Sequence, residues 1–195
     1  GLSDNASTAI GNGERGVQVI NCSNNRIGAN DAGNTINGNT GGGIWIGGGG
    51  TTGNRVQGNT IGGSGAMANS GSGVDIENTA SGNTIGGTGV GEGNIIRFNT
   101  GSGVLVKSQC NANIILSNSI HDNGLLGIDL STNLLPDGAT ANDPQDVDAN
   151  SGNNLQNYPV ITNALSAGGN TLINGTLNSH PNRTFQLEFF TTPAA

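Results

Sequence analysis

The side chains with the most chemistry to offer are aspartates, and they fall in two places. In Asp146-Val147-Asp148-Ala149-Asn150-Ser151-Gly152 oxygen-bearing side chains alternate. This spacing lets a loop wrap Ca²⁺, and with Asp143 nearby the candidate ligands are Asp143, Asp146, Asp148 and Asn150. The loop is not an EF-hand: its glycine falls one place late, and Asn157 stands where a bidentate glutamate belongs. The second set is Trp45, Asp75 and Asp129, each the middle residue of an apolar–any–apolar triplet. An indole ring can stack on a sugar, and paired carboxylates about 5–5.5 Å or 6.5–9.5 Å apart can cleave a glycosidic bond.

Those triplets belong to a word that the chain writes five times. An asparagine precedes a glycine by four residues, and that glycine opens the triplet: Asn12 with Gly16, Asn39 with Gly43, Asn69 with Gly73, Asn99 with Gly103, and Asn123 with Gly127. The glycines are 27, 30, 30 and 24 residues apart. A period in this range marks a solenoid, in which each repeat buries its apolar face against its neighbours. Two further series, Asn25, Asn54, Asn83, Asn113 and Asn34, Asn59, Asn94, Asn118, each stand two residues before a Val or Ile. Three short strands per period, separated by Gly/Asn turns and without 3.6-residue periodicity, predict an all-β fold, a right-handed parallel β-helix of about five coils. Asn suits the left-handed bends between strands, Gly the sharper corners. Stacked carboxamides can form a structural ladder through Asn12, Asn39, Asn69, Asn99 and Asn123.

Stacking places the middle residues of the triplets in one outward column: Gln18, Trp45, Asp75, Leu105 and Asp129. Asp75 and Asp129 then stand about 9.6 Å apart, two rungs of about 4.8 Å, with Leu105 between them and Lys107 as the one flanking cation. The other two columns, Arg26, Arg55, Thr84, Ile114 and Thr35, Thr60, Ile95, Ser119, lack the regular threonine array of an ice-binding face. Solvated strand faces are therefore favoured over a catalytic set. Cys22 and Cys110, three rungs or about 14 Å apart, are too distant for an intrachain disulfide and read as free, half-buried thiols.

The repeat stops after Leu130. Residues 131–157 read as an acidic, turn-rich linker, and residues 158–195 as an antiparallel segment with strands at 160–165, 171–177 and 184–190 and a turn at 179–182. The three regions 1–130, 131–157 and 158–195 are the expected domain organisation.

Charge narrows the partners. The chain carries 13 acidic and 6 basic residues, for a formal net charge of −7, and no cluster of cations for nucleic acid. No apolar run approaches the roughly 20 residues of a membrane span. Gly1-Leu2-Ser3-Asp4 does not read as a signal peptide, so any targeting segment is expected upstream or already removed.

The coils, with Asn83-Thr-Ile-Gly-Gly-Thr-Gly89 and Gly93-Asn-Ile-Ile-Arg-Phe-Asn99, resemble the right-handed β-helix repeats of large bacterial secreted and cell-surface proteins. Gly127-Ile-Asp-Leu130, Asn142-Asp-Pro-Gln-Asp-Val-Asp148 and Asn153-Asn-Leu-Gln-Asn-Tyr-Pro-Val160 look like the exit from the helix in that group. Asn174-Gly-Thr-Leu-Asn-Ser179 and Pro181-Asn-Arg-Thr-Phe-Gln-Leu-Glu-Phe-Phe190 look like the start of the β-sandwich that follows it. The resemblance implies an extracellular or cell-surface location, and the group has no single activity to carry over. The expected function is a non-catalytic structural protein: a β-helical scaffold or a self-assembling filament or surface-layer subunit, adhesive in some settings. Its coils would associate end to end, since no capping helix precedes Asn12. The alternative is a glycan-binding or polysaccharide-degrading module built on Trp45, Asp75 and Asp129.

Overall fold

The computed structural model describes residues 10–190. Within them the chain winds as a parallel β-solenoid with three sheets. The main sheet stacks β1 (Arg15–Ile20), β4 (Gly42–Gly47), β7 (Val74–Glu77), β10 (Val104–Val106) and β13 (Ile128–Leu130). The second holds β2 (Arg26–Ile27), β5 (Arg55–Val56), β8 (Thr84–Gly86) and β11 (Ile114–Leu116). The third holds β3 (Thr35–Ile36), β6 (Thr60–Ile61), β9 (Ile95–Arg97) and β12 (Ser119–His121). Four coils are thus complete, and β13 opens a fifth. Pairing follows the repeat residue for residue, with Val17, Ile44, Val74, Val104 and Ile128 successive partners.

Because side chains alternate along a strand, each triplet sends two residues inward and each shorter strand one. The resulting core is a column of Val and Ile, with Ile46, Val56, Ile61, Val74, Ile76, Ile85, Ile96, Val104 and Val106 fully buried. A thin core suffices because neighbouring coils share it. Cys110 is buried in this core and Cys22 is exposed, both as free thiols, rather than both half-buried as the sequence suggests.

The asparagine ladder forms, in triplicate. Asn39 Nδ2 donates to Asn69 Oδ1 at 2.9 Å, Asn69 to Asn99 at 2.8 Å and Asn99 to Asn123 at 2.9 Å. Equivalent bonds run from Asn25 through Asn54 and Asn83 to Asn113, and from Asn34 through Asn59 and Asn94 to Asn118. Asn12 departs from this pattern. Its backbone N–H donates to Asn39 Oδ1, whereas its side chain turns back to the carbonyls of Arg15 and Gly16.

One expectation about turn chemistry changes. The ladder asparagines themselves keep negative φ; the left-handed position is the residue just before them, as at Asn24, Gly53, Gly58, Gly82, Phe98, Ala112, Ser117 and Asp122. The bend comes first, and the asparagine then starts the strand with its amide aimed inward. The glycines that open the triplets stand, as expected, where a Cβ would be crowded. A Cβ on Gly73 would lie 2.7 Å from the Gly103 carbonyl oxygen and 2.5 Å from Ile96 Cγ2, and one on Gly43 would lie 2.4 Å from the Gly73 oxygen.

The remaining strands form an antiparallel hairpin, β14 (Val160–Ala167) and β15 (Asn170–Thr176), with Leu165 opposite Leu172. Residues 184–190 do not form the expected third strand. Alternation alone does not make a strand without a ladder partner, and this segment instead reaches the solenoid, where the Glu188 carboxylate accepts from the Ser117 N–H and hydroxyl.

Opposite signs are expected for two glycine exchanges in urea denaturation. Gly73→Ala overpacks the corner and should cost about 1–3 kcal/mol, while Ala112→Gly relieves a left-handed alanine and should gain up to about 1 kcal/mol. Asn69→Ala strands the partners of a fully buried carboxamide and should cost about 1–3 kcal/mol.

Candidate functional site

The triplet register does bring Trp45, Asp75, Leu105 and Asp129 into one column, but the column is not the open face that the sequence suggests. Leu105 is 2% and Asp129 1% exposed. Burial raises the Asp129 pKa above the ordinary carboxylate value, assisted by Asp137 and opposed by the Gly138 backbone and by Ser102. The Ser102 hydroxyl donates to Asp129 Oδ2 at 3.4 Å, and Asp129 Oδ1 has no partner among the described residues. The correction has a simple physical origin: residues 131–140 turn back after β13, so the last aspartate of the column lies beneath the exit segment rather than on a free strand face.

Asp75 is held by cations. Lys107 Nζ donates to Asp75 Oδ2 at 3.0 Å and also binds Glu77, and Arg15 stands 3.9 Å from the same Asp75 oxygen. Lys107 reaches both carboxylates because residues two apart on one strand face outward together, and because β7 and β10 pair in register. Burial raises the Asp75 pKa despite the neighbouring Lys107. For Lys107 burial alone lowers the pKa, but the two carboxylates outweigh it and the net shift is upward. These four charged side chains form a cluster with little solvent, closed on itself.

Trp45 is partly covered. The Arg15 guanidinium lies 4.7 Å from its ring centroid, and the ring rests so close over Gly47 that a Cβ there would come within 2.8 Å of it. A sugar stacking on the face that Arg15 covers has to displace that side chain.

The acidic exit loop is stitched by its own hydrogen bonds. Asp146, 4% exposed, accepts from the Asn157 N–H at 3.0 Å and from the Ser179 hydroxyl at 2.5 Å. Asp143 accepts from the Val147 N–H, and Asn157 donates to the carbonyls of Asp143 and Asn178. Asn150 offers its backbone carbonyl to Gln109 and Ser108. Among the described residues no group of three His, Cys, Asp or Glu side chains converges as metal ligands; Asp148 lies outside this bonding.

Sequence reasoning missed the residue that joins this loop to the solenoid. Asn153 Oδ1 accepts from the Asn113 N–H at 3.0 Å, and Asn153 Nδ2 donates to the Asn113 carbonyl at 2.7 Å. It therefore adds a fifth rung to the second ladder. The signal was present as Asn153-Asn154-Leu155, the same Asn-x-apolar pattern as Asn113-Ile114-Ile115, but 40 residues on rather than 29 or 30. Beside it, at the end of the solenoid, lies a cavity of about 920 Å³ bounded by Ile115, Leu130, Leu155, Tyr158 and Phe185, with no charged residue in its wall.

The buried carboxylate makes a pH prediction. A carboxyl whose folded pKa is raised loses stability as pH climbs from its unfolded value, about 3.9, through its folded value. Asp129→Asn removes this loss, so the variant should melt higher than the parent at pH 7, with the difference vanishing below about pH 4.

Compared with protein-family models, curated proteins and solved structures, the chain matches none.

Proposed function

We propose that this chain is a non-catalytic structural element, an exported β-helical scaffold of a bacterial surface that continues end to end into further copies. The observation that carries this reading is the polarity of the ladders. Every bond between ladder carboxamides runs one way, with the earlier coil donating and the later coil accepting. Among the described residues the carboxamide oxygens of Asn25 and Asn34 therefore have no donor above them, and β1, β2 and β3 each pair along one edge only. At the other end the N–H groups of Asn118 and Asn123 have no carboxamide beyond them. A head-to-tail neighbour matches acceptors to donors, whereas a head-to-head neighbour sets acceptor against acceptor. Open strand edges invite such pairing.

The chemistry of the outer face supports a scaffold over an enzyme. The Asp75 carboxylate pairs with Lys107 and Arg15, Asp129 is buried, and Arg15 lies over the Trp45 ring, which leaves no free acid–base pair and occupies part of the stacking platform. The surface location rests on the resemblance of the repeats and on the acidic, cation-poor composition.

Light scattering and negative-stain microscopy at rising concentration test the assembly. Linear oligomers are expected, and Glu188→Ala, which uncovers the Ser117 edge of the last coil, should lengthen them. Parent and variant that both stay monomeric at high concentration would overturn the reading. Glycan binding or release of reducing ends from acidic or neutral polysaccharides would replace it with the carbohydrate alternative. Because Asp143 Oδ2 and both Asp146 carboxylate oxygens already accept N–H or O–H donors, the melting temperature should be the same in calcium and in chelator; a rise with calcium would assign Asp143, Asp146, Asp148 and Asn150 to the ion.

A further inference from the structure

Four Asn-Gly pairs occur in the chain: Asn12-Gly13, Asn37-Gly38, Asn123-Gly124 and Asn174-Gly175. In such a pair the glycine nitrogen can attack the asparagine Cγ, because no Cβ obstructs it. The new N–C bond closes a succinimide and the side-chain nitrogen leaves as ammonia; water then opens the ring to aspartate or isoaspartate. No reagent other than water is consumed. The rate depends on whether the nitrogen and Cγ can reach attack geometry, so tertiary structure decides which pair reacts.

Three pairs are held. The Gly38 N–H donates to the Met67 carbonyl at 2.9 Å, and Asn37 is 7% exposed. The Gly124 N–H donates to the Asn99 carbonyl at 2.8 Å, while the Asn123 carboxamide accepts from Asn99 and donates to the Ile96 carbonyl. Asn174 and Gly175 lie within β15, with Gly175 opposite Ile161 in the ladder. Asn12-Gly13 differs from all of these. Both residues are exposed and precede β1, the Gly13 N–H has no partner among the described residues, and no atom lies within 4 Å of where a Gly13 Cβ would stand.

We propose that Asn12 is a site of spontaneous, structure-selected deamidation at the entrance of the solenoid. The change is not silent there. Asn12 Nδ2 donates to the Arg15 and Gly16 carbonyls at 3.1 and 3.2 Å. A carboxylate has no hydrogen to donate and sets negative charge against both oxygens, and isoaspartate also inserts a methylene into the backbone. Conversion therefore loosens the start of β1 and adds a negative charge to the coil edge.

Incubation of the folded protein at mildly alkaline pH, followed by peptide mass mapping, tests this. A gain of about 1 Da with release of ammonia is expected first in the peptide holding Asn12. Gly13→Val, placed in open space, should slow it severalfold without loss of folding. In urea the four pairs should react at comparable rates. Hydrogen exchange should be faster over residues 15–20 of the converted protein and unchanged in β10. Modification appearing first at Asn37, Asn123 or Asn174, or an unchanged rate in a folded Gly13→Val variant, would overturn the proposal.

Discussion

A carboxamide taken out of water needs partners for both its oxygen and its nitrogen. Here that requirement is met by the equivalent carboxamides one coil away, together with backbone carbonyls of the preceding coil. Asn54, Asn59, Asn69, Asn83, Asn94 and Asn99 are all at most 1% exposed, and each is bonded to the equivalent residue above and below. A coil that slipped by one residue would bury Asn without its partner and turn the Val/Ile side chains outward together. The ladders therefore fix register as well as contribute energy, and this lets strands of two or three residues persist. The interior of Val and Ile supplies the burial; the asparagines decide which residue lies above which.

The same rule explains where the solenoid changes character. Its last coil has no successor among the described residues, and two of the groups that a further coil would satisfy find substitutes from elsewhere in the chain. Asn153 stands over Asn113, and the Glu188 carboxylate takes the Ser117 donors. Side-chain chemistry shifts at the same level. The outward column of the second sheet reads Arg26, Arg55 and Thr84, then Ile114, which borders the uncharged end cavity. Asp146, buried between Asn157 and Ser179, ties the exit loop to the chain that follows the hairpin. The end of the coil is a polar clasp around an apolar space.

The carboxylates illustrate why residue type and spacing do not by themselves define a reactive site. Asp75 and Asp129 share a column, yet one is paired with a buried lysine and the other is desolvated without an ion partner. Both pKa values rise through burial. Their surroundings exclude most water and hold the groups still.

The repeats themselves announced the architecture. Asparagines and glycines at intervals of 24 to 35 residues, with Val/Ile a few positions later, determine three parallel sheets, their order and most of their register, because stacking pairs the buried amides. Local sequence was also enough to mark the end of the repeat at Leu130 and the acidic exit. Tertiary structure decided the rest. The coverage of Asp129 depends on a loop folding back from later in the chain, and the fifth rung at Asn153 depends on a 40-residue step whose insertion hides the period. The segment 184–190 has the alternation of a strand but finds its carboxylate contact on the solenoid. Periodicity reports contacts between equivalent residues, which recur at a fixed interval; contacts made once, between parts of the chain with no repeat relation, leave no such trace.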